Sequence, residues 1–174
     1  MIGARPLFPR ILASGLAAAA LFGAVAAWAQ DVISAQDFVS RTAVAAMFGV
    51  ESATLALHKS NTPAIKDFAH GLADENAAAT SGLRRIIAKR SDIALPERPD
   101  GKHLALLRNL ADKQGSEFDS AYVEAQRGTH REAAALMERY AQRGEDPELK
   151  RFAEQSLPAF RALDQKAREL PNGP

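Results

Sequence analysis

The spacing of apolar residues constrains the fold of this chain more than any other feature. From Ser34 onward, apolar residues recur at intervals of three and four, and no segment alternates for long enough to form a strand. Capping residues, prolines and glycines divide this pattern into four long helices, at residues 34–59, 63–90, 117–142 and 146–170, and a short helix around residues 104–110. This order predicts an all-α four-helix bundle with a short extra helix in the crossover.

Residues 1–29 are predicted to be a secretory signal peptide. Arg5 and Arg10 form its basic start, residues 11–28 are an uncharged apolar run, and Ala27-Trp28-Ala29 is a small-residue cleavage site. We expect cleavage after Ala29 and a periplasmic or secreted location in the bacterial envelope. An uncleaved membrane anchor is the alternative, since about 18 apolar residues lie at the lower limit for spanning a bilayer. No integral membrane segment is expected after cleavage.

The remaining chain is short enough for one domain. We predict a short N-terminal lead at residues 30–36, a bundle domain at residues 37–170 and a C-terminal tail at residues 171–174.

The composition excludes several classes of function. The absence of cysteine rules out a disulfide scaffold, a thiolate zinc site, a Cys-ligated iron–sulfur cluster and a cysteine nucleophile. The 22 basic and 21 acidic residues give a net charge of +1, without the basic excess of a nucleic-acid-binding protein. Cleavage after Ala29 would remove two basic residues and no acidic one, so 20 minus 21 leaves a charge of −1.

Motifs typical of enzymes are missing from the sequence. It has no Gly-rich phosphate loop, no G-x-S-x-G nucleophile elbow and no H-E-x-x-H motif. We therefore favour a protein that is not an enzyme, and among catalytic classes oxidation at a bound metal is the one we favour.

One ionisable side chain in each long helix is predicted to lie on or beside the apolar stripe. These residues are Glu51, Glu75, His130 and Asp164. A buried carboxylate is costly unless it is paired, protonated or bound to a metal ion. Because Glu, Asp and His are suitable ligands for iron, manganese or zinc, the four residues are candidate ligands of one divalent metal, with iron or manganese favoured. The alternative is that they lie at the edge of the stripes and pair with Lys or Arg.

The other histidines have simpler interpretations. The nearest approach to the Glu-x-x-His motif of dinuclear bundles is Asp67-Phe68-Ala69-His70, whose Asp and His are predicted to face solvent. His58 lies in the last turn of its helix and His103 in the first turn of the short helix, and neither is predicted to bind a metal.

Several segments together resemble the family called domain of unknown function 4142 (DUF4142). They are residues 37–47, Glu51-Ser52-Ala53-Thr54-Leu55-Ala56, residues 61–69, Phe118-Asp119-Ser120-Ala121-Tyr122-Val123 and residues 146–158. The likeness runs from about residue 37 to residue 167. It implies an exported protein with a ferritin-like four-helix bundle, in a family without an assigned activity.

The family pattern places Glu in the first helix, Asp-His in the second and third, and His in the fourth. Glu51 and His130 match this pattern. Three other positions differ, because Glu75 follows Asp74 where the family has His, Thr129 replaces Asp, and Leu163 replaces His beside Asp164. These exchanges imply a harder, more anionic ligand set, which favours manganese, iron or calcium over copper or zinc, or else a lost site.

Two functional hypotheses follow. The first is a non-catalytic exported bundle that acts through its surface, in envelope stress tolerance or by binding a protein partner. The second is a ferritin-like protein that binds iron or manganese through Glu51, Glu75, His130 and Asp164, with redox or metal-storage activity. The missing Glu-x-x-His motifs favour the first. The sequence leaves the partner and the oligomeric state open.

Overall fold

The computed structural model describes residues 32–171, which form five α-helices and no strand. They are α1 (Ala35–Lys59), α2 (Pro63–Ile87), α3 (Gly101–Ala111), α4 (Gly115–Arg143) and α5 (Pro147–Glu169). The all-α prediction is confirmed. The predicted signal peptide, its cleavage site and residues 172–174 lie outside the described residues.

The helices begin where the sequence supplies capping groups. Ser34 Oγ accepts a hydrogen bond from the backbone N–H of Asp37 (3.1 Å) at the start of α1. Asp100 caps α3 in the same way through the N–H of His103 (2.9 Å). Helices α2 and α5 each begin with proline, whose missing N–H costs nothing in the first turn. Helix α1 therefore starts two residues before the predicted domain boundary.

Helix directions follow from contacts at the two ends of the bundle. Phe38 near the start of α1 stacks on Tyr140 near the end of α4, with ring centroids 3.9 Å apart. Thr62, just after α1, donates a hydrogen bond to Asp119 near the start of α4 (2.6 Å). Helices α1 and α4 are therefore antiparallel neighbours. Since α1 and α2, and also α4 and α5, form hairpins, the order is up-down-down-up with one long crossover, as in ferritin-like folds.

The crossover is held against α1 at both of its ends. The Gln36 side chain exchanges two hydrogen bonds with the backbone of Ala94 (2.8 and 2.9 Å). At the other end, Lys59 Nζ donates to the carbonyl oxygens of Ala111 and Lys113, the latter at 2.9 Å. These contacts lay α3 along α1 and fix where α4 begins.

The buried apolar residues form two clusters, one toward each end of the bundle. One cluster includes Phe48, Leu72, Phe118, Tyr122, Ala125 and Leu163. The other includes Phe38, Ala79, Ala133, Tyr140, Phe152 and Phe160. Buried polar side chains also lie in the interior, and several of them, among them Asn76, Thr129 and His130, fall near the middles of their helices.

Asp146 is expected to contribute strongly to the stability of the α4–α5 hairpin. Its Oδ1 accepts hydrogen bonds from the N–H groups of Glu148 (3.1 Å) and Leu149 (3.0 Å), and its Oδ2 pairs with Arg90. We expect Asp146→Ala to lower the free energy of unfolding by about 2–3 kcal/mol, because it removes both the cap and the ion pair. Asp146→Asn keeps a capping oxygen and should cost about 1 kcal/mol. Urea unfolding of both variants checks this, and equal losses would contradict the capping role.

Among residues 32–171, no helix combines the length and apolar character needed to cross a bilayer.

Candidate functional site

The four side chains predicted to meet in the bundle interior do not all lie there. His130 and Asp164 are buried, with 6% and 8% of their surfaces exposed. Glu51 on α1 and Glu75 on α2 are exposed, so the prediction that they face the core is wrong. In the described part of the chain, no group of three or more His, Asp or Glu side chains is placed to hold one metal ion.

The error is a displacement of one residue along each of the first two helices. The buried residue is Ser52 rather than Glu51 on α1, and Asn76 rather than Glu75 on α2. Steps of three and four residues both fit a helical stripe. Spacing alone therefore does not decide which of two adjacent polar residues is buried. Burial does choose, because a neutral hydroxyl or amide is satisfied by one nearby carbonyl, whereas a buried carboxylate needs a counter-charge.

A chain of hydrogen bonds runs through the interior from α1 to α4. The Ser52 hydroxyl donates to the Gly49 carbonyl oxygen (3.1 Å) and accepts from Gln126 Nε2 (2.9 Å). Gln126 Oε1 lies 3.1 Å from His130 Nε2. A backbone carbonyl only accepts, so every link in the chain has a fixed direction. This direction assigns the imidazole proton of His130 to Nε2, where it donates to Gln126.

The surroundings of His130 favour its neutral form. Its ring packs edge-on against Phe68 of α2, with centroids 5.7 Å apart and an interplanar angle of 81°. Burial lowers the pKa of His130 from 6.5 to about 4, and the charge of Asp164 opposes this shift without cancelling it. The imidazole is therefore neutral at pH 7.

The second buried ionisable residue already has a counter-charge. Asp164 Oδ1 lies 3.3 Å from Arg168 Nε, and its Oδ2 contacts a terminal nitrogen of the same guanidinium. This pair is one turn apart on α5, and the guanidinium is largely exposed while the carboxylate is covered. The alternative that the sequence left open, a carboxylate paired with Arg, therefore describes Asp164.

The buried polar residues form a polar layer within the bundle. We define the polar layer as Ser52, Asn76, Gln126, Thr129, His130 and Asp164, all buried. The interior Thr129 hydroxyl and the Asn76 amide each donate to a backbone carbonyl of their own helix, at 2.9 and 2.8 Å. The layer thus holds one neutral imidazole, one paired carboxylate and neutral groups bonded to each other or to the backbone. One hydrogen bond of the layer joins two helices, from Gln126 on α4 to Ser52 on α1.

Sequence reasoning missed the neutral members of the polar layer. Ser52, Asn76 and Gln126 lie at core spacing, but none of them is ionisable. The signal that could have found them is a small or amide polar residue within an apolar stripe. The prediction that Asp67 and His70 face solvent is confirmed, since both are exposed.

Comparison with known proteins places the chain in a family. A sequence model described as domain of unknown function (DUF4142) matches residues 20–170. Comparison with curated proteins finds no match. Among solved structures, the chain is similar to one described as "CopM in the Cu(II)-bound form", with a TM-score of 0.66 and 16% sequence identity over 79% of this chain and 95% of that one. This likeness shows a shared helical fold. Because the family match covers most of its length, the chain belongs to the DUF4142 family.

Proposed function

We propose that this protein is an exported, non-catalytic helical bundle that acts in the bacterial envelope by binding a partner molecule at its surface. The observation that carries the proposal is the closed state of the polar layer. A catalytic or ion-binding centre needs groups that are free to exchange a proton or to coordinate. Here the Nε2 proton of His130 is donated to Gln126, and the Asp164 carboxylate is held by Arg168.

The second candidate function is binding of iron or manganese in the bundle interior. It is favoured by the burial of both His130 and Asp164, since the charge of Asp164 acts to raise the pKa of the imidazole against the effect of burial. The Nδ1 atom of His130 carries no proton in the assigned tautomer. This nitrogen and the Asp164 carboxylate are therefore two groups that could coordinate a metal ion. The Cu(II)-bound form of the similar solved structure also makes metal binding worth testing, although likeness at 16% identity speaks for the fold. A protein site for such an ion usually has at least three protein ligands.

Elemental analysis of protein purified from the exported fraction separates the two functions. The matched variant is His130→Gln/Asp164→Asn, which removes both interior donors with little change in volume. The proposal predicts no stoichiometric iron, manganese or copper in either protein, before or after reconstitution with each ion. One ion per chain that disappears in the variant would contradict the proposal and support the interior metal site.

Export is tested by the mass of the chain recovered from the envelope. Cleavage after Ala29 removes Trp28, the sole tryptophan, so the mature protein should begin at Gln30 and show tyrosine-only fluorescence. A chain that keeps residues 1–29 and tryptophan emission would support the anchored alternative.

A further inference from the structure

A cleft of about 610 Å³ opens between the C-terminal part of α2 and the N-terminal part of α5. We call it the cationic cleft, because four of its lining residues are basic. Its charged lining consists of Arg85, Lys89, Arg90, Arg151 and Glu148, and its floor includes Gly82, Ile86 and Phe152. The volume lies in the range of small-molecule sites, which is about 300–1,000 Å³.

Three of the four cations are free to bind a ligand. Arg90 is already held by Asp92, through bonds of 3.1 and 2.7 Å, and by Asp146. The other three, Arg85, Lys89 and Arg151, are exposed and have no ion pair or hydrogen bond from their side chains in the described part of the chain. Glu148 is the single carboxylate in the lining. Three uncompensated cations against one anion make the cleft locally positive on a chain whose total charge is close to zero.

The floor of the cleft includes an aromatic ring that packs closely against its neighbours. The Phe152 ring lies against the backbone of α2 at Gly82, where an added Cβ would be 2.8 Å from Phe152 Cε2. The same ring also packs edge-on against Phe38 on α1, with ring centroids 6.3 Å apart. Glycine at position 82 thus lets an aromatic ring approach the cleft floor between cations from two different helices.

We propose that the cationic cleft binds a small organic oxyanion, in which a carboxylate or phosphate ester is attached to an apolar or aromatic body. This inference rests on the proposed function and names the partner class of the surface-acting bundle. Arg85 on α2 and Arg151 on α5 present planar guanidinium groups that hold an oxyanion with paired hydrogen bonds. The ring and aliphatic floor receive the body of the ligand.

The shape and charge of the cleft disfavour larger anionic partners. A nucleic acid strand is held by many phosphate contacts along an extended basic surface, whereas the cleft offers three free cations. A membrane surface is bound by a basic helix face with projecting apolar residues, whereas the apolar residues here form a recessed floor. A compact ligand with one anionic group matches what the cleft presents.

Titration calorimetry with phenyl phosphate tests this inference on the mature chain. The cleft variant is Arg85→Ala/Arg151→Ala. Its control is Arg108→Ala/Lys113→Ala, which removes the same charge from the α3 region. We expect saturable one-to-one binding to the wild type and the control, and affinity at least about tenfold weaker in the cleft variant. Circular dichroism confirms that both variants fold. Inorganic phosphate, which has the charge without the apolar body, should bind at least about tenfold more weakly than phenyl phosphate.

Several results would overturn the inference. They are no saturable binding of phenyl phosphate, equal binding to the cleft variant and the control, and equal affinity for inorganic phosphate. Sedimentation with phosphatidylglycerol vesicles without phenyl phosphate binding would overturn it in favour of a membrane surface. None of these results changes the outcome of the elemental analysis, which tests the polar layer. The cleft inference and the proposed function can therefore be contradicted independently.

Discussion

Gly49→Ala is expected to lower the free energy of unfolding by about 2 kcal/mol, although alanine is the better helix former by about 1 kcal/mol. A Cβ at this position would lie 2.2 Å from Asn76 Nδ2 and 2.8 Å from its Cγ. The Asn76 side chain must then leave a buried site where it donates to the Leu72 carbonyl (2.8 Å). Overpacking and the stranded amide each cost about 1–3 kcal/mol, which outweighs the gain in propensity.

The effect of Gly49→Ala on the free energy of unfolding should change sign when the Asn76 amide is removed. In an Asn76→Ala background, Gly49→Ala has room for its methyl group and should stabilise the chain by about 1 kcal/mol. Gly71→Ala on α2 is the matched control, because a Cβ there has no neighbour within 4 Å. Urea unfolding of the four proteins of the cycle and of the control gives the coupling directly. A Gly49→Ala variant as stable as Gly71→Ala would contradict the close packing of α1 on Asn76.

Acidification from pH 7 to pH 4 is expected to remove about 3 kcal/mol of stability through His130 alone. Burial lowers the pKa of this histidine to about 4 in the folded chain, against 6.5 when it is exposed. Between these values the unfolded chain binds a proton that the folded chain does not, so stability rises with pH. The stability that depends on neutral His130 is present above pH 6.5 and is lost as the pH falls toward 4.

Carboxylates with lowered pKa values act in a lower pH range and do not mask this effect. A hydrogen bond from Arg90 holds the pKa of Asp92 below its usual 3.8. Burial acts to raise the pKa of Asp146, but hydrogen bonds from Leu149 and Arg90 hold this pKa below 3.8. Stability from these groups is present above pH 3.8 and is lost as the pH falls through their folded values.

The variant His130→Gln separates the contribution of His130 from the rest of the pH dependence of stability. Its amide N–H₂ can still donate to Gln126, so the hydrogen-bond chain is kept while the titrating group is removed. We expect urea unfolding of the wild type to lose about 3 kcal/mol more than the variant between pH 7 and pH 4. An equal loss in the two proteins would show that His130 is not held neutral.

The fold was largely predictable because local signals mark each helix end. Ser34, Pro63 and Asp146 start helices in the structure as their chemistry requires, since each satisfies or removes an orphan N–H group. The short helix in the crossover begins behind Asp100, whose carboxylate caps it. The DUF4142 resemblance is confirmed over residues 20–170.

The site was less predictable because it depends on which side of a stripe is buried. Glu51 and Glu75 each lie one position from a buried polar residue, and the two registers differ by about 100° of helix rotation. The cost of burying a carboxylate decides between them, and that cost depends on neighbours from other helices. His130 and Asp164 were placed correctly as buried, but their partners, Gln126 and Arg168, follow from side-chain directions that spacing does not give.

The cationic cleft illustrates the same limit. Arg85 and Arg151 are 66 residues apart in sequence and belong to different helices. Only the antiparallel packing of α2 against α5 brings them to one opening. A charge count of the whole chain, which is close to balanced, gives no sign of this local excess.

We propose above all that His130 belongs to a closed hydrogen-bond chain and does not bind an ion. Imidazole ¹⁵N NMR of the mature protein tests it most directly, at pH 5.5 in chelator and again with one equivalent of Mn²⁺. We predict a neutral ring with its proton on Nε2 in both samples, with unchanged resonances after the addition of the ion. A protonated ring at pH 5.5, or His130 signals broadened beyond detection by Mn²⁺, would contradict the claim.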